Sequence, residues 1–154
     1  MNRPKMHMSV ELQKRCQLAI HHGAVAAAAG AAVRQGADFF PVNAAQLSMV
    51  RGLAEAFGVQ LPKVLAQAVV DAALSHCPEW TVFLRSASPE TAHAPSASSF
   101  AASAACSATE TIGWMIAEDF LLLVKGRELK VLSALPEGSR TTLHEMFYHR
   151  ISLS

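Results

Sequence analysis

The stretch Gly-Ala-Asp-Phe-Phe-Pro-Val-Asn, from Gly36 to Asn43, divides two helical patterns and sets the first turn of the chain. It continues as Ala-Ala-Gln-Leu-Ser-Met-Val-Arg-Gly-Leu-Ala-Glu-Ala-Phe-Gly over residues 44–58, where apolar residues recur at helical spacing. Asn43 and Gln46 have the spacing of a capping box, and Gly58 stands where a left-handed residue ends a helix. The stretch therefore predicts a helix that begins after Asn43 and runs to Phe57.

The preceding segment predicts a long helix from Ser9, a suitable N-cap, to Val33. Its small residues recur at spacings of four, four and three and form one face, made of Ala19, Gly23, Ala27 and Gly30. A glycine inside a helix costs about 1 kcal/mol relative to alanine, so two on one face indicate close helix packing at Gly23 and Gly30. Plain alanine-rich filler is the alternative.

After Gly58, the sequence predicts further helices separated by breaks. Pro62 suits the first turn of the next one, and Cys77-Pro78 ends it. The segment Glu79 to Arg85 is β-prone but has no second strand to pair with, so it reads as irregular or helical. The Ser/Ala/Pro-rich segment 86–99 reads as a mobile surface loop.

A second long helix is expected from Ser99 to Val124, with Gly126 as its stop. It carries another small-residue face, made of Ala102, Cys106, Thr109, Gly113 and Ala117. In the tail, Pro136 to Gly138 reads as a turn, and Thr142 with Glu145 reads as a capping box of a short helix. We therefore predict one all-α domain over residues 1–154, a compact bundle of about four to five helices with Ala/Gly-rich close-packed faces.

Composition restricts the classes of function. Hydrophobic residues make up 51% of the chain, charged residues 16%, and the formal net charge is +1. A mean hydropathy of +0.24 favours contact with a protein partner or a membrane. The near-neutral charge gives no electrostatic support for nucleic-acid binding. Three widely spaced cysteines, an odd number, fit a reducing cytoplasm better than a disulfide framework.

No catalytic or metal-binding motif stands out. His21 and His22 are adjacent, so on a helix they point about 100° apart and do not chelate as a pair one turn apart would. Cys77 follows His76 directly, which is poor geometry for a nucleophile and its base. Glu118 and Asp119 are adjacent and expected to diverge. We expect no cofactor and no metal, and an enzyme using Cys77 or a histidine cluster is the weakest of three hypotheses.

The order of these motifs resembles the YcjF-type domain of unknown function. The shared features are the small-residue helix, the loop with Asp38 and Pro41, the helix with Gln46 and Met49 that ends at Phe57-Gly58, and a late helix. In that late helix, Cys-Ser-Ala-Thr-Glu-Thr-Ile-Gly-Trp over residues 106–114 and Glu-Asp-Phe over residues 118–120 supply Thr109, Gly113 and Phe120. The family occurs in bacterial inner-membrane proteins and with Era-like GTPases. The proline here comes later than in the family pattern, and no GTPase domain accompanies the module.

The resemblance implies a non-enzymatic interaction or regulatory module that acts in trans on a GTPase, a membrane complex or another copy of itself. The expected contact residues are Asp38, Phe39, Phe40, Gln46 and Met49, with close helix packing at Gly23, Gly30, Thr109 and Gly113. We expect one of Phe39 and Phe40 to pack on the following helix and the other to be exposed; burial of both is the alternative. Peripheral membrane contact, or a spanning helix in the uncharged stretch from Cys16 to Val33, is the second hypothesis, in an otherwise cytoplasmic protein.

Overall fold

A computed structural model describes residues 8–33, 40–86 and 97–152 of the chain. Six α-helices occur in these ranges: α1 (Val10–Val33), α2 (Phe40–Ala56), α3 (Lys63–Leu74), α4 (Pro78–Ser86), α5 (Ala97–Val124) and α6 (Glu137–Ser152). A 3₁₀ helix, Leu132–Ala134, lies before α6. The predicted all-α bundle is confirmed, with six helices in the described ranges where about four to five were expected.

The two long helices, α1 and α5, pack against each other, and α2 packs along α1. The main core lies where α1, α2, α3, α5 and α6 meet, and its largest fully buried members include Leu53, Ile112, Phe120 and Phe147. A second cluster consists mostly of alanines from α1, α2 and α5, with Phe83 of α4 in their midst. The segment from Glu79 to Arg85, which is ambiguous in sequence, lies in α4, and α4 packs on α5 with the ring of Phe83 fully buried.

The predicted helix ends are confirmed where local chemistry sets them. The hydroxyl of Ser9 accepts a hydrogen bond from the backbone N–H of Leu12 at 3.2 Å, as an N-cap does. Gly58 (φ 79°) and Gly126 (φ 66°) both take the left-handed conformation. The N–H of the residue after each glycine donates a hydrogen bond to the carbonyl five residues earlier: Val59 to Ala54, and Arg127 to Leu122. Both helices therefore end in Schellman motifs.

Two predicted helix starts are wrong. α2 begins at Phe40, not after Asn43, because Pro41 occupies the first turn, where its missing N–H is not needed. The Asn43 side chain does not cap; it forms a reciprocal amide pair with Gln67 of α3, with N···O distances of 3.0 and 3.2 Å. The predicted capping box is therefore wrong, and the Asn43 side chain instead joins α2 to α3.

The predicted turn at Pro136 to Gly138 is the start of α6. Pro136 lies just before the helix, and its carbonyl accepts the N–H of Arg140 at 3.0 Å. The Thr142 hydroxyl donates to the Gly138 carbonyl at 2.9 Å, one turn back, so Thr142 is inside the helix and does not cap it. Proline has no N–H group, and the first N–H groups of a helix have no partner within the helix. A proline at this position is therefore compatible with the start of a helix as well as with a turn.

Glycines allow α1 to approach its neighbours closely. A Cβ placed on Gly23 would lie 2.7 Å from Cβ of Met49, and one on Gly30 would lie 2.9 Å from Cβ of Pro41. A Cβ on Gly113 of α5 would lie 2.8 Å from Cγ1 of Ile20. Contacts this short do not occur between real side chains, so any larger residue there would force the helices apart.

We expect Gly23→Ala to lower the free energy of unfolding by about 1–3 kcal/mol, since overpacking outweighs alanine's higher helix propensity. Gly52 of α2 is the matched control, because a Cβ there would meet only Cβ of Ala19, at 3.5 Å. Gly52→Ala should raise stability by up to about 1 kcal/mol. Urea melts of both variants measure the difference, and equal effects would contradict close packing at Gly23.

Candidate functional site

Two shallow grooves follow the exposed side of α2. The α1–α2 groove has a volume of 540 Å³ and the α2–α3 groove one of 760 Å³. Both are lined by Ser48, Gly52 and Glu55, which form the ridge between them. Because Ser48 and Gly52 are small, the ridge between the two grooves is low.

The α1–α2 groove has a floor of small residues. Its floor and walls include Ala19, Gly23, Ala26, Ala45 and Ala56. Arg15, Leu18 and His22 of α1 stand along one rim, and Glu55 of α2 stands on the other. The floor of this groove consists of residues with small side chains, and its rim carries both apolar and charged side chains. Such a groove can accept the side chains of another helix.

The α2–α3 groove is more polar. Arg51 and Lys63 line it and are exposed, and the ion pairs of the described residues do not include either of them. The Asn43–Gln67 amide pair lies between the two helices, and Gln67 also donates to Asp71 at 2.9 Å. The Asn43–Gln67 pair joins α2 to α3, and the bond to Asp71 holds the Gln67 amide within α3.

The outward face of α1 carries no formal charge over its last four turns. Leu18 is 57% exposed and Val25 53% exposed. The other exposed side chains on the face are Gln17, His21, His22, Ala26, Ala29 and Ala32. The charges of α1 are confined to its start, where Arg15 pairs with Glu11 at 3.3 Å. A solvent-facing helix usually carries charged residues opposite its buried side, so this face is atypical.

The predicted contact residues differ in how far they are exposed. Phe40 is 72% exposed and lines the α2–α3 groove. Met49 is 2% exposed but is among the residues that line the α1–α2 groove. Gln46 is fully buried. Asp38 and Phe39 lie outside the described residues. Of the predicted packing residues, Gly23, Gly30 and Gly113 lie at the helix contacts described above, and Thr109 faces Gln46.

Gln46 and Thr109 form a buried polar pair between α2 and α5. The Gln46 Nε2 donates to the Thr109 hydroxyl at 3.3 Å, and both residues are 0% exposed. The Gln46 Oε1 has no hydrogen-bond partner among the described residues. A buried acceptor without a partner costs about 1–3 kcal/mol, so the unpaired Oε1 reduces the stability gained from this pair.

Thr109→Val should lower the free energy of unfolding by about 1–3 kcal/mol, because it leaves the whole Gln46 amide unpaired. Combining it with Gln46→Met removes both polar groups at similar volume, and we expect stability at or above that of the wild type. Urea melts of the two single variants and the double variant give the coupling energy. A double variant as unstable as Thr109→Val would contradict this account.

The surroundings of the three cysteines disfavour their thiolate forms. Burial raises the pKa of the Cys16 and Cys77 thiols to about 11 each. Burial and the charge of Glu110 also raise the pKa of Cys106. A thiol with a pKa of about 11 is ionised in roughly one molecule in 10⁴ at neutral pH, too few for nucleophilic catalysis. Among the described residues, no three His, Cys, Asp or Glu side chains are placed to share a metal ion.

Two parts of the surface were missed in the sequence. Gly52 lies inside α2 and makes the ridge low, and its signal in the sequence is a glycine inside an otherwise strong helical pattern. The outward face of α1 was visible as an uncharged stretch, but an alanine-rich helix is apolar on all sides. Its sequence therefore does not reveal which side remains exposed.

Comparisons with protein-family models, curated proteins and solved structures found no match to this chain. In the part of the chain that the structure describes, no helix combines the length and the apolar character needed to cross a membrane.

Proposed function

We propose that this protein is a non-enzymatic binding module that accepts a helix of a protein partner in the α1–α2 groove. The observation that carries the proposal is the uncharged outward face of α1, which continues into a groove floored by glycine and alanine. Helix-in-groove recognition needs these two features, an apolar contact strip and room for side chains. The raised thiol pKa values add support, because they weigh against a cysteine enzyme.

The resemblance to the YcjF-type domain names a GTPase or a membrane complex as the kind of partner. The residues that line the α1–α2 groove restrict the sequence of the helix that can bind there. A helix that fits needs small or apolar side chains toward α1 and a polar group near Glu55 and Arg15 at the groove's end. Regulation of the partner in trans is part of the proposal and depends on this docking.

Filling the groove tests the proposal. Gly52→Leu places a large side chain on the ridge that borders the α1–α2 groove, where the nearest atom to a Cβ is 3.5 Å away. Gly138→Leu on α6 is the matched control, since nothing lies within 4 Å of a Cβ there. The immobilised full chain is used to capture proteins from cells that express it, and captured proteins are quantified for wild type and both variants.

We expect a partner retained by wild type and Gly138→Leu and lost by Gly52→Leu, with both variants melting near the wild type. Equal capture by all three proteins would overturn the groove as the docking site. No capture, together with a purified protein that does not associate with itself, would overturn the proposed function.

A further inference from the structure

Two cations line the α2–α3 groove from different helices. Arg51 belongs to α2 and Lys63 to α3, and both side chains are exposed. Neither forms an ion pair with any residue in the part of the chain that the structure describes. Unpaired cations on the two walls of a groove raise the local concentration of anionic ligands between them. The groove therefore has the electrostatic character of a site for an anionic group.

One carboxylate, that of Glu55, also lines the groove. Glu55 follows Arg51 by one turn near the end of α2, and within residues 8–33, 40–86 and 97–152 no ion pair joins the two. Asp71 of α3 is not among the lining residues, and its carboxylate accepts a hydrogen bond from the Gln67 amide. The negative charge of the lining therefore lies at one end. A ligand carboxylate is attracted toward Arg51 and Lys63 and repelled from Glu55.

The groove is long in comparison with a single anion. Its lining residues on α2 extend from Phe40 to Glu55, about 22 Å along the helix at 1.5 Å per residue. An extended peptide of about seven residues covers this length. A lone phosphate or carboxylate would occupy only the part beside the cations. The shape therefore favours a segment of polypeptide as the ligand.

The end of the groove opposite Glu55 can contact an apolar side chain. Phe40 lies there and is 72% exposed, and Leu47 lines the groove one turn after Asn43. The Asn43 amide uses one N–H on Gln67, so its second N–H can donate to a peptide carbonyl. The groove thus presents an apolar end, a polar middle with two cations, and an acidic end.

We propose that the α2–α3 groove binds an acidic segment of a partner protein, with its carboxylates at Arg51 and Lys63 and an apolar side chain against Phe40. The planar guanidinium of Arg51 can bind a carboxylate through two parallel hydrogen bonds, and Lys63 acts as a point charge. Glu55 disfavours an anionic membrane as the ligand, because a uniformly negative surface would repel it. This site is distinct from the α1–α2 groove, which neither cation lines.

Peptide selection tests the class of ligand. A phage-displayed library of random peptides of about 12 residues, long enough to cover the groove, is selected on the immobilised full chain. We expect the selected peptides to be enriched in aspartate and glutamate and to carry an aromatic or aliphatic residue beside the acidic ones. A selection that enriches no acidic peptide would overturn the proposal.

Charge reversal tests the site. Fluorescence anisotropy gives the Kd of the tightest selected peptide, and Arg51→Glu/Lys63→Glu should raise it at least about tenfold, because like charges then meet. Lys125→Glu/Arg127→Glu is the matched control, since it changes the net charge equally at exposed residues just after α5 that line neither groove. It should change the Kd by less than about threefold. Equal weakening by the two double variants would overturn the site.

Removal of an exposed ring tests the direction of the bound segment. Phe40→Ala should weaken the selected peptide at least about threefold, because apolar area is no longer buried against the ring. Phe100→Ala is the control, since Phe100 is 56% exposed on α5 and does not line the groove. Equal affinities of the two variants would overturn the placement of the apolar side chain at Phe40.

A vesicle assay and the capture experiment separate this proposal from its alternatives. Co-sedimentation with phosphatidylserine vesicles that is lost in Arg51→Glu/Lys63→Glu, without any selected acidic peptide, would assign the cations to a membrane and overturn the peptide ligand. The proposed function is tested independently. Because Arg51 and Lys63 do not line the α1–α2 groove, the double variant should still capture a partner that docks there.

Discussion

Asp119→Ala should lower the free energy of unfolding by about 3 kcal/mol or more. The Asp119 carboxylate is 0% exposed and accepts three backbone N–H groups, those of Lys130, Val131 and Leu132, at 3.1, 2.8 and 2.7 Å. Hydrogen bonds to a charged group contribute about 1.5–3 kcal/mol each, and losing all three leaves buried donors unpaired. The substitution should release the chain between α5 and the 3₁₀ helix.

The neighbouring carboxylate provides the control. Glu118 forms a surface ion pair with Lys130, and such pairs contribute less than about 1 kcal/mol. Thermal melts should place Asp119→Ala roughly 6–12 °C below wild type and Glu118→Ala within about 3 °C of it. If the two variants melt together, the three hydrogen bonds do not hold this loop. Asp119→Asn, which keeps one acceptor oxygen, should fall between them.

Phe120→Ala should cost about 3–5 kcal/mol, the usual loss for a buried phenylalanine. Phe120 is 0% exposed, and its ring centroid lies 4.8 Å from that of Phe147 and 5.9 Å from that of Phe57. The three rings join α5, α6 and the end of α2. Removing the central ring opens a cavity and leaves Phe147 without its closest partner, so α6 should loosen more than α1 does.

Phe100→Ala is the matched control, since Phe100 lies on the same helix and is 56% exposed. It should change stability by less than about 1 kcal/mol. Amide hydrogen exchange should show faster exchange in α6 of Phe120→Ala than in α6 of the wild type, with α1 less affected. Uniformly faster exchange in all helices would mean that the aromatic cluster supports the whole bundle and does not act as a local anchor for α6.

Short-range chemistry accounts for the features that were predicted correctly. Ser9, Gly58 and Gly126 act on backbone groups within a few residues. The helix ends that they set can therefore be predicted from the adjacent sequence. Proline was harder to interpret, because Pro41 and Pro136 are compatible with both a break and a first helical turn. The choice at Asn43 depended on Gln67, a partner on another helix.

The candidate site was less accessible to sequence reasoning. Gln46 and Met49 were expected at a contact surface, yet they are buried against α5 and α1. Asp119 was seen only as half of an adjacent carboxylate pair, because its three donors lie about one dozen residues later and are all backbone groups. A backbone donor has no signature in the sequence, so no pattern could assign this role.

The sequence by itself determined the helical class, the positions of the long helices and the glycines at which they approach each other, because helical period and left-handed caps are local properties. Only the tertiary structure decided which side of α1 stays exposed and that α2 lies between two grooves. The reason is the alanine-rich composition: a helix that is apolar all round can bury any side. Its neighbours decide, and here the close contacts at Gly23 and Gly30 turn Leu18 and Val25 outward.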